Sequence, residues 1–161
     1  MNDEMSLDEV TVFGRKLSFL IPHNWEEMEA EQDNVYLYSQ PETDSGWFRV
    51  SLNTSTGSAV SDPPAERLKR VFDKRENVSR DEQSGNLIHA YERDSEEDGV
   101  KIRLYYWLVA NVVEPNLVRE AVFSYTVLHE RINDEDTARM VGLLRQLVGR
   151  ADFNPEIQAP E

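Results

Sequence analysis

The chain contains no cysteine, which excludes a disulfide framework and a thiolate site. It also lacks a long apolar run. The longest, from Tyr105 to Val113, is about half of the ~20 residues that a membrane-spanning helix needs, and it reads as a strand. Basic residues are scarce: 17 Lys and Arg stand against 31 Asp and Glu, a net charge of −14. Such a field repels phosphate backbones and anionic membrane surfaces, so neither nucleic-acid binding nor membrane insertion is expected. A basic protein partner would be drawn in, although solubility alone also explains the charge.

Familiar site signatures are missing as well. No Gly-x-Ser-x-Gly elbow, phosphate-binding loop or dinucleotide fingerprint occurs. His23, His89 and His129 are scattered without metal-ligand spacing. Asp94, Glu96, Asp98 and Gly99 match the start of a calcium loop, but the position of its closing bidentate glutamate is Tyr105. The expectation is a non-enzyme with no cofactor and no metal; a non-local site built from serines and carboxylates is the alternative. Met1 to Met5 is acidic and lacks an apolar segment, so no secretory signal is expected. A cytoplasmic location follows, with a trimmed exported domain as the other possibility.

What the chain does have is strands. Its 161 residues, 39% of them hydrophobic, suit one domain burying roughly two thirds of its unfolded surface. Val100 to Leu128 reads as a long hairpin turning at Pro115 and Asn116, with arms of roughly 40 Å at about 3.3 Å per residue. On its first arm Val100, Ile102, Leu104, Tyr106, Leu108, Ala110 and Val112 fall on one face. Lys101, Arg103, Tyr105, Trp107 and Asn111 fall on the other.

Upstream, Val10 to Ile21 predicts a hairpin around Gly14-Arg15, pairing Val12 with Leu17, Val10 with Phe19 and Thr11 with Ser18. Asn24 is read as the cap of a short helix from Trp25. Val35 to Tyr38 resumes extended structure, and Phe48, Val50 and Leu52 alternate inward. Asp62-Pro63-Pro64 opens a helix to about Glu76 with Leu68, Val71 and Phe72 buried. Leu87 to Arg93 is a further strand, turning through Asp94-Ser95-Glu96-Glu97-Asp98-Gly99 into the long hairpin, with Asp98-Gly99 as the hairpin turn pair. Asn133 or Asp134 caps a last helix carrying Met140, Val141, Leu144, Leu147 and Val148, with Gly149 at its exit. Strands in runs, with one helix between and one after, predict an α+β fold on a central antiparallel sheet. The expected organisation is a tail over 1–8, one domain over 9–151 and a tail over 152–161.

Three surfaces stand out. Tyr105 and Trp107, between Lys101 and Arg103, form a protein-docking patch if helices cover only the other face of the sheet. If helices cover both faces they are core, where large aromatics of central strands usually lie. Glu26, Glu27, Glu29, Glu31 and Asp33 form an acidic segment suited to an inhibitor or immunity protein that binds by charge. Arg67, Arg70 and Lys74 share a helical face, where intrahelical pairing with acids accounts for them. A small-ligand pocket between sheet and helix is the remaining alternative.

The run Phe19-Leu20-Ile21-Pro22-His23-Asn24-Trp25, after a hairpin, resembles the opening of PsbP-like and Mog-like domains, which often end a strand in a Pro-x-x-Trp step. Gly46-Trp47-Phe48-Arg49-Val50-Ser51-Leu52, the helix after it, the long strands and the closing helix follow a similar order over residues 10–150. The resemblance implies a central antiparallel sheet between helices, an α/β/α sandwich. Members are mostly non-enzymatic: photosystem accessory subunits, a Ran-binding nuclear import factor, and bacterial chaperones or immunity proteins of type VI secretion effectors. It implies a protein-binding role, such as effector chaperone or adaptor, but transfers no binding residue. No targeting segment supports the photosystem role.

Overall fold

Two long strands set the architecture. The computed structural model describes residues 6–23, 25–29, 34–40, 46–56, 63–114 and 117–153. Val100–Glu114 (β8) pairs antiparallel with Leu117–Leu128 (β9) from Ile102↔Leu128 to Glu114↔Leu117, with one irregularity between Val112 and Glu114. The Pro115-Asn116 turn lies outside the described residues.

Earlier strands add to both sides of this pair. Leu87–Glu97 (β7) joins β8 through Asp98-Gly99, whose φ angles of 51° and 81° are the two left-handed positions of a tight hairpin. Trp47–Thr56 (β5) joins β9, followed outward by Val35–Ser39 (β4) and Glu26–Met28 (β3). Val78–Arg80 (β6) borders β7. Among the described residues the sheet order is β3-β4-β5-β9-β8-β7-β6, with every neighbour antiparallel. A separate hairpin of Leu7–Val12 (β1) and Leu17–Pro22 (β2) has the register predicted from sequence. Its turn carries positive φ at Phe13, Gly14 and Arg15.

Cross-strand partners share a face, so the register sorts the core. Arg103, Tyr105, Trp107 and Val109 lie opposite Val127, Tyr125, Phe123 and Ala121. Phe48 and Val50 continue this face through β5, and Ile88 through β7. The β1–β2 hairpin and the helix Glu135–Gly149 (α2) cover it, packing Phe19, Leu144 and Val148 into one buried cluster. Phe123 holds the middle, with ring centroids 5.3 Å from Phe19 and 5.8 Å from Phe48. Burying each such side chain contributes about 1.5–3 kcal/mol.

The helix Pro64–Asp73 (α1) lies on the other face, over the start of β9. Phe72 is buried there, and Arg75 just beyond the helix reaches Glu120 at 3.6 Å. Glu120 pairs with Ala110, which belongs to the alternate set of β8 side chains. The result is the expected α+β arrangement, an antiparallel sheet between helices.

Several local expectations are corrected. Asp94–Glu97 continues β7 as strand instead of forming the turn, because each of its residues pairs with β8 from Arg103 to Val100. Glu26–Met28 is a strand paired with Leu37–Ser39, not a helical turn. Trp25 explains why: its ring stacks on Tyr125 (6.2 Å, 7°) and lies 5.8 Å from Phe48, which holds the chain flat along the sheet. Asn24 and Asp62 lie outside the described residues. Val71 is 45% exposed, leaving Phe72 as the main anchor of α1. β6 is too short and polar to show a period. Gly149 is the last residue of α2, and an added Cβ would lie 2.9 Å from Cδ1 of Ile88, so a side chain there would have to displace that methyl.

The folded domain also extends beyond 9–151. Leu7 and Asp8 belong to β1. Asp152 exchanges two backbone hydrogen bonds of 2.8 Å with Ser18, and Phe153 is buried in the core. The C-terminal end of α2 is fastened by Asn86, only 1% exposed. Its Nδ2 donates to the carbonyls of Gly149 (3.0 Å) and Ala151 (2.7 Å), while its Oδ1 accepts from Nδ2 of Asn111 at 2.7 Å. These bonds satisfy carbonyls that a helix end otherwise leaves open.

Replacing Asn86 by Ala should cost about 2–4 kcal/mol, since it removes three buried hydrogen bonds and strands the Ala151 carbonyl, while Ser84 still serves Gly149 and Asn111. Urea unfolding read by circular dichroism measures this, and a loss below about 1 kcal/mol would refute the fastening role. Phe153→Ala should cost about 3 kcal/mol in the same assay. A neutral result would return Phe153 to the tail.

Candidate functional site

The β7–β8 hairpin leaves part of the sheet edge open. β6 covers β7 only over Leu87–His89, and the Ala90 N–H donates to the carbonyl of Asn77 at 3.2 Å. From Tyr91 to Glu97 every residue is exposed, and among the described residues no further strand pairs on that side. In an antiparallel strand the N–H and C=O of one residue point the same way. Since Ala90 points to the edge, so do Glu92, Asp94 and Glu96.

On the α2 side of this edge lies a cleft of about 670 Å³, lined by Ala90, Glu92, Tyr105, Trp107, Val141 and Arg145 among others. Its floor is aromatic and its rim charged. Arg103 grips Asp94 with Nε at 2.7 Å and Nη2 at 3.2 Å, and its Nη1 lies 3.4 Å from Glu92. That hydrogen-bonded guanidinium holds the Asp94 carboxyl below its usual pKa. His129 stands 3.8 Å from the same carboxylate. These partners are exposed, so the ion pairs orient the hairpin more than they stabilise it.

The opposite side of the hairpin carries a ladder of rings. Tyr91 and Tyr106 stack at 4.8 Å and 15°, and His89 lies 5.2 Å from Tyr91. The Arg93 guanidinium sits 5.6 Å over the Tyr106 ring and donates to its hydroxyl at 3.2 Å. His89 donates from Nδ1 to the Glu76 carbonyl at 2.7 Å, which ties the ladder to the segment after α1. Partial burial, then the neighbouring Tyr106, pushes the Tyr91 hydroxyl pKa upward, so it stays neutral. Tyr91 is nonetheless 40% exposed. Because α1 covers only part of this face, a groove of about 400 Å³ also opens along it, with Leu37, Trp47, Arg49, Leu104 and Leu128 in its walls.

The residues predicted from sequence fare differently. Trp107 is 3% exposed and belongs to the core, so it cannot present a docking patch. The face that carries Tyr105 and Trp107 is the face that α2 and the β1–β2 hairpin cover, and α1 lies on the other, which is the core alternative of the sequence reading. Tyr105 is half-buried against the core and contributes only to the cleft. Arg103 is committed to Asp94 and Glu92, and Lys101 is exposed near the hairpin tip, opposite Glu96. Glu26 and Glu27 are exposed on β3 at the far edge of the sheet, and Glu29 is exposed just beyond it. Glu31 and Asp33 lie outside the described residues. Glu26, Glu27 and Glu29 are therefore separated from Tyr105 and Trp107 by β4, β5 and β9 and form no common site with them.

Tyr91, Arg93 and Tyr106 were not singled out by the sequence. Tyr91 and Arg93 do sit two apart in a strand, but their ring and guanidinium partner comes from the register with β8. Val141 and Arg145 of α2 were visible only as helix positions.

No family model and no curated protein matches the chain. Among solved structures it is similar to one from Bacteroides thetaiotaomicron, with a TM-score of 0.58 and 18% identity over 94% of this chain. The chain spans about half of that protein, 50% of its length. It is also similar to the Ran-binding protein Mog1p of Saccharomyces cerevisiae, with a TM-score of 0.53 and 12% identity over 93% of this chain and 96% of that one. LpqN of Mycobacterium tuberculosis, involved in cell envelope biogenesis, matches with a TM-score of 0.53 and 11% identity over 92% of this chain and 91% of that one. At these identities the likeness speaks for the fold alone. Strand order, helix placement and this likeness agree: the chain has the fold seen in Mog1p and LpqN.

Proposed function

We propose that this chain is a non-enzymatic protein-binding domain, an adaptor or effector chaperone, and that it docks its partner at the β7–β8 hairpin. The observation that carries the reading is the ladder of Tyr91, Tyr106 and Arg93, a partly exposed cluster beside an open edge and a cleft. Tyr and Arg dominate binding hot spots because they combine large contact area with directed hydrogen bonds. Mog1p, on the same fold, is a Ran-binding protein, which supports a protein partner at the level of fold. Among the described residues no helix is long and apolar enough to cross a membrane.

A photo-crosslinking residue at position 91 should give a discrete adduct with a second protein in cells that make this chain. The same residue at Leu20, exposed on the β1–β2 hairpin, should give none. With the crosslinked partner purified, Tyr91→Ala combined with Arg93→Ala should weaken binding at least about tenfold. Unchanged binding by that folded variant would overturn the docking site.

A further inference from the structure

We infer that the partner presents an extended basic segment, which adds to the sheet as an antiparallel strand alongside Tyr91–Glu97 of β7. This rests on the docking reading above and specifies the occupant of that site. A row of edge N–H and C=O groups is a template for another strand unless something covers it. Among the described residues, β6 covers the first three residues of β7 and stops, and Ala90 makes the last bond to that side, with Asn77. Glu92, Asp94 and Glu96 carry the outward donors and acceptors that follow.

The charge of the edge selects the occupant. Between Glu92 and Arg103 there are five carboxylates and three cationic side chains, on a chain whose net charge is −14. The side chains of Glu92, Asp94 and Glu96 all project to the α2 face, because their partners across the ladder are Tyr105, Arg103 and Lys101. A second copy pairing antiparallel through the same edge, centred on Asp94, would set Glu92 against Glu96 and Asp94 against itself. Like charges directly opposite one another destabilise a strand pair, so self-association is disfavoured. A basic strand meets the reverse situation.

Geometry then fixes which side chains the added strand needs. A residue directly opposite Glu92, Asp94 or Glu96 points its own N–H at β7 and its side chain to the α2 face. Basic side chains belong at those positions. Opposite Glu92 the aliphatic stem of a lysine or arginine would lie over the Tyr105 and Val141 walls of the 670 Å³ cleft, with its charge at the Glu92 carboxylate. The intervening residues fall on the other face beside Tyr91 and Arg93, where apolar side chains fit. The recognised pattern is an alternation of basic and apolar residues.

The probe is a fluorescent peptide of alternating lysine and valine, about eight residues long, enough to follow Tyr91–Glu97 at about 3.3 Å per residue. Fluorescence anisotropy should show saturable binding to the full chain that weakens as salt is raised. Replacing the lysines by glutamates should abolish it. N-methylation of the lysine amides should weaken binding at least about tenfold, because these donors face β7, while N-methylation of the valine amides should change it less than about threefold. Amide exchange of Glu92, Asp94 and Glu96 should slow with the peptide bound.

Equal binding by both N-methylated peptides, or absence of binding, would overturn strand addition. If the crosslink at position 91 still captures a protein partner, the docking reading stands without it. A position-91 adduct to another copy of this chain, with dimerisation in sedimentation, would overturn the basic occupant in favour of a second copy. Loss of both peptide binding and crosslink would sink the two proposals together.

Discussion

Everything in this fold depends on the register between β8 and β9. Side chains alternate across a sheet, so a slip of one residue would turn Trp107, Val109 and Phe123 away from α2 and expose them. With the register fixed, one face collects Phe48, Phe123, Tyr125 and Val127 under α2 and the β1–β2 hairpin. The other face is closed by α1 only where Ala110, Val118 and Phe72 are buried. The asymmetry between a fully covered face and a partly covered one leaves the tyrosine ladder within reach of solvent.

The second determinant is unequal strand length. β7 is 11 residues long and β6 is 3, so their pairing ends well before the β7–β8 hairpin does. Soluble proteins protect such an edge by covering it or by charging it. This chain does the second, with carboxylates at each residue whose backbone points outward. The same charges that prevent indiscriminate edge pairing also discriminate among strands that approach it. Protection and selectivity are one property of Glu92, Asp94 and Glu96.

Much of the fold was legible before any coordinates. The Val12–Leu17 hairpin, the Asp98-Gly99 turn, the inward set Phe48 and Val50, and the apolar stripe of α2 are local patterns. Period two, period 3.6 and turn chemistry reveal them without knowledge of distant residues. The Phe19–Trp25 run pointed to the same fold that strand order and the likeness to Mog1p support. The strand at Glu26–Met28 was not legible, because Trp25 decides it by packing on Tyr125 and Phe48, far away in sequence. Asp152 and Phe153 read as tail for a similar reason: their partners are on β2 and in the core.

The site was harder to read than the fold. Both faces of β8 are apolar and aromatic, so alternation alone separates Tyr105 and Trp107 from Leu104 and Tyr106 without saying which pair is covered. Trp107 was a candidate for the surface, and α2 made it core. By itself the sequence determined the strands, their alternation, the acidic balance and the turn residues, since each follows from neighbours along the chain. Tertiary structure alone decided which face each helix covers, which edge stays open, and that Tyr91, Arg93 and Tyr106 meet, because those outcomes depend on contacts between segments whose spacing carries no local signal.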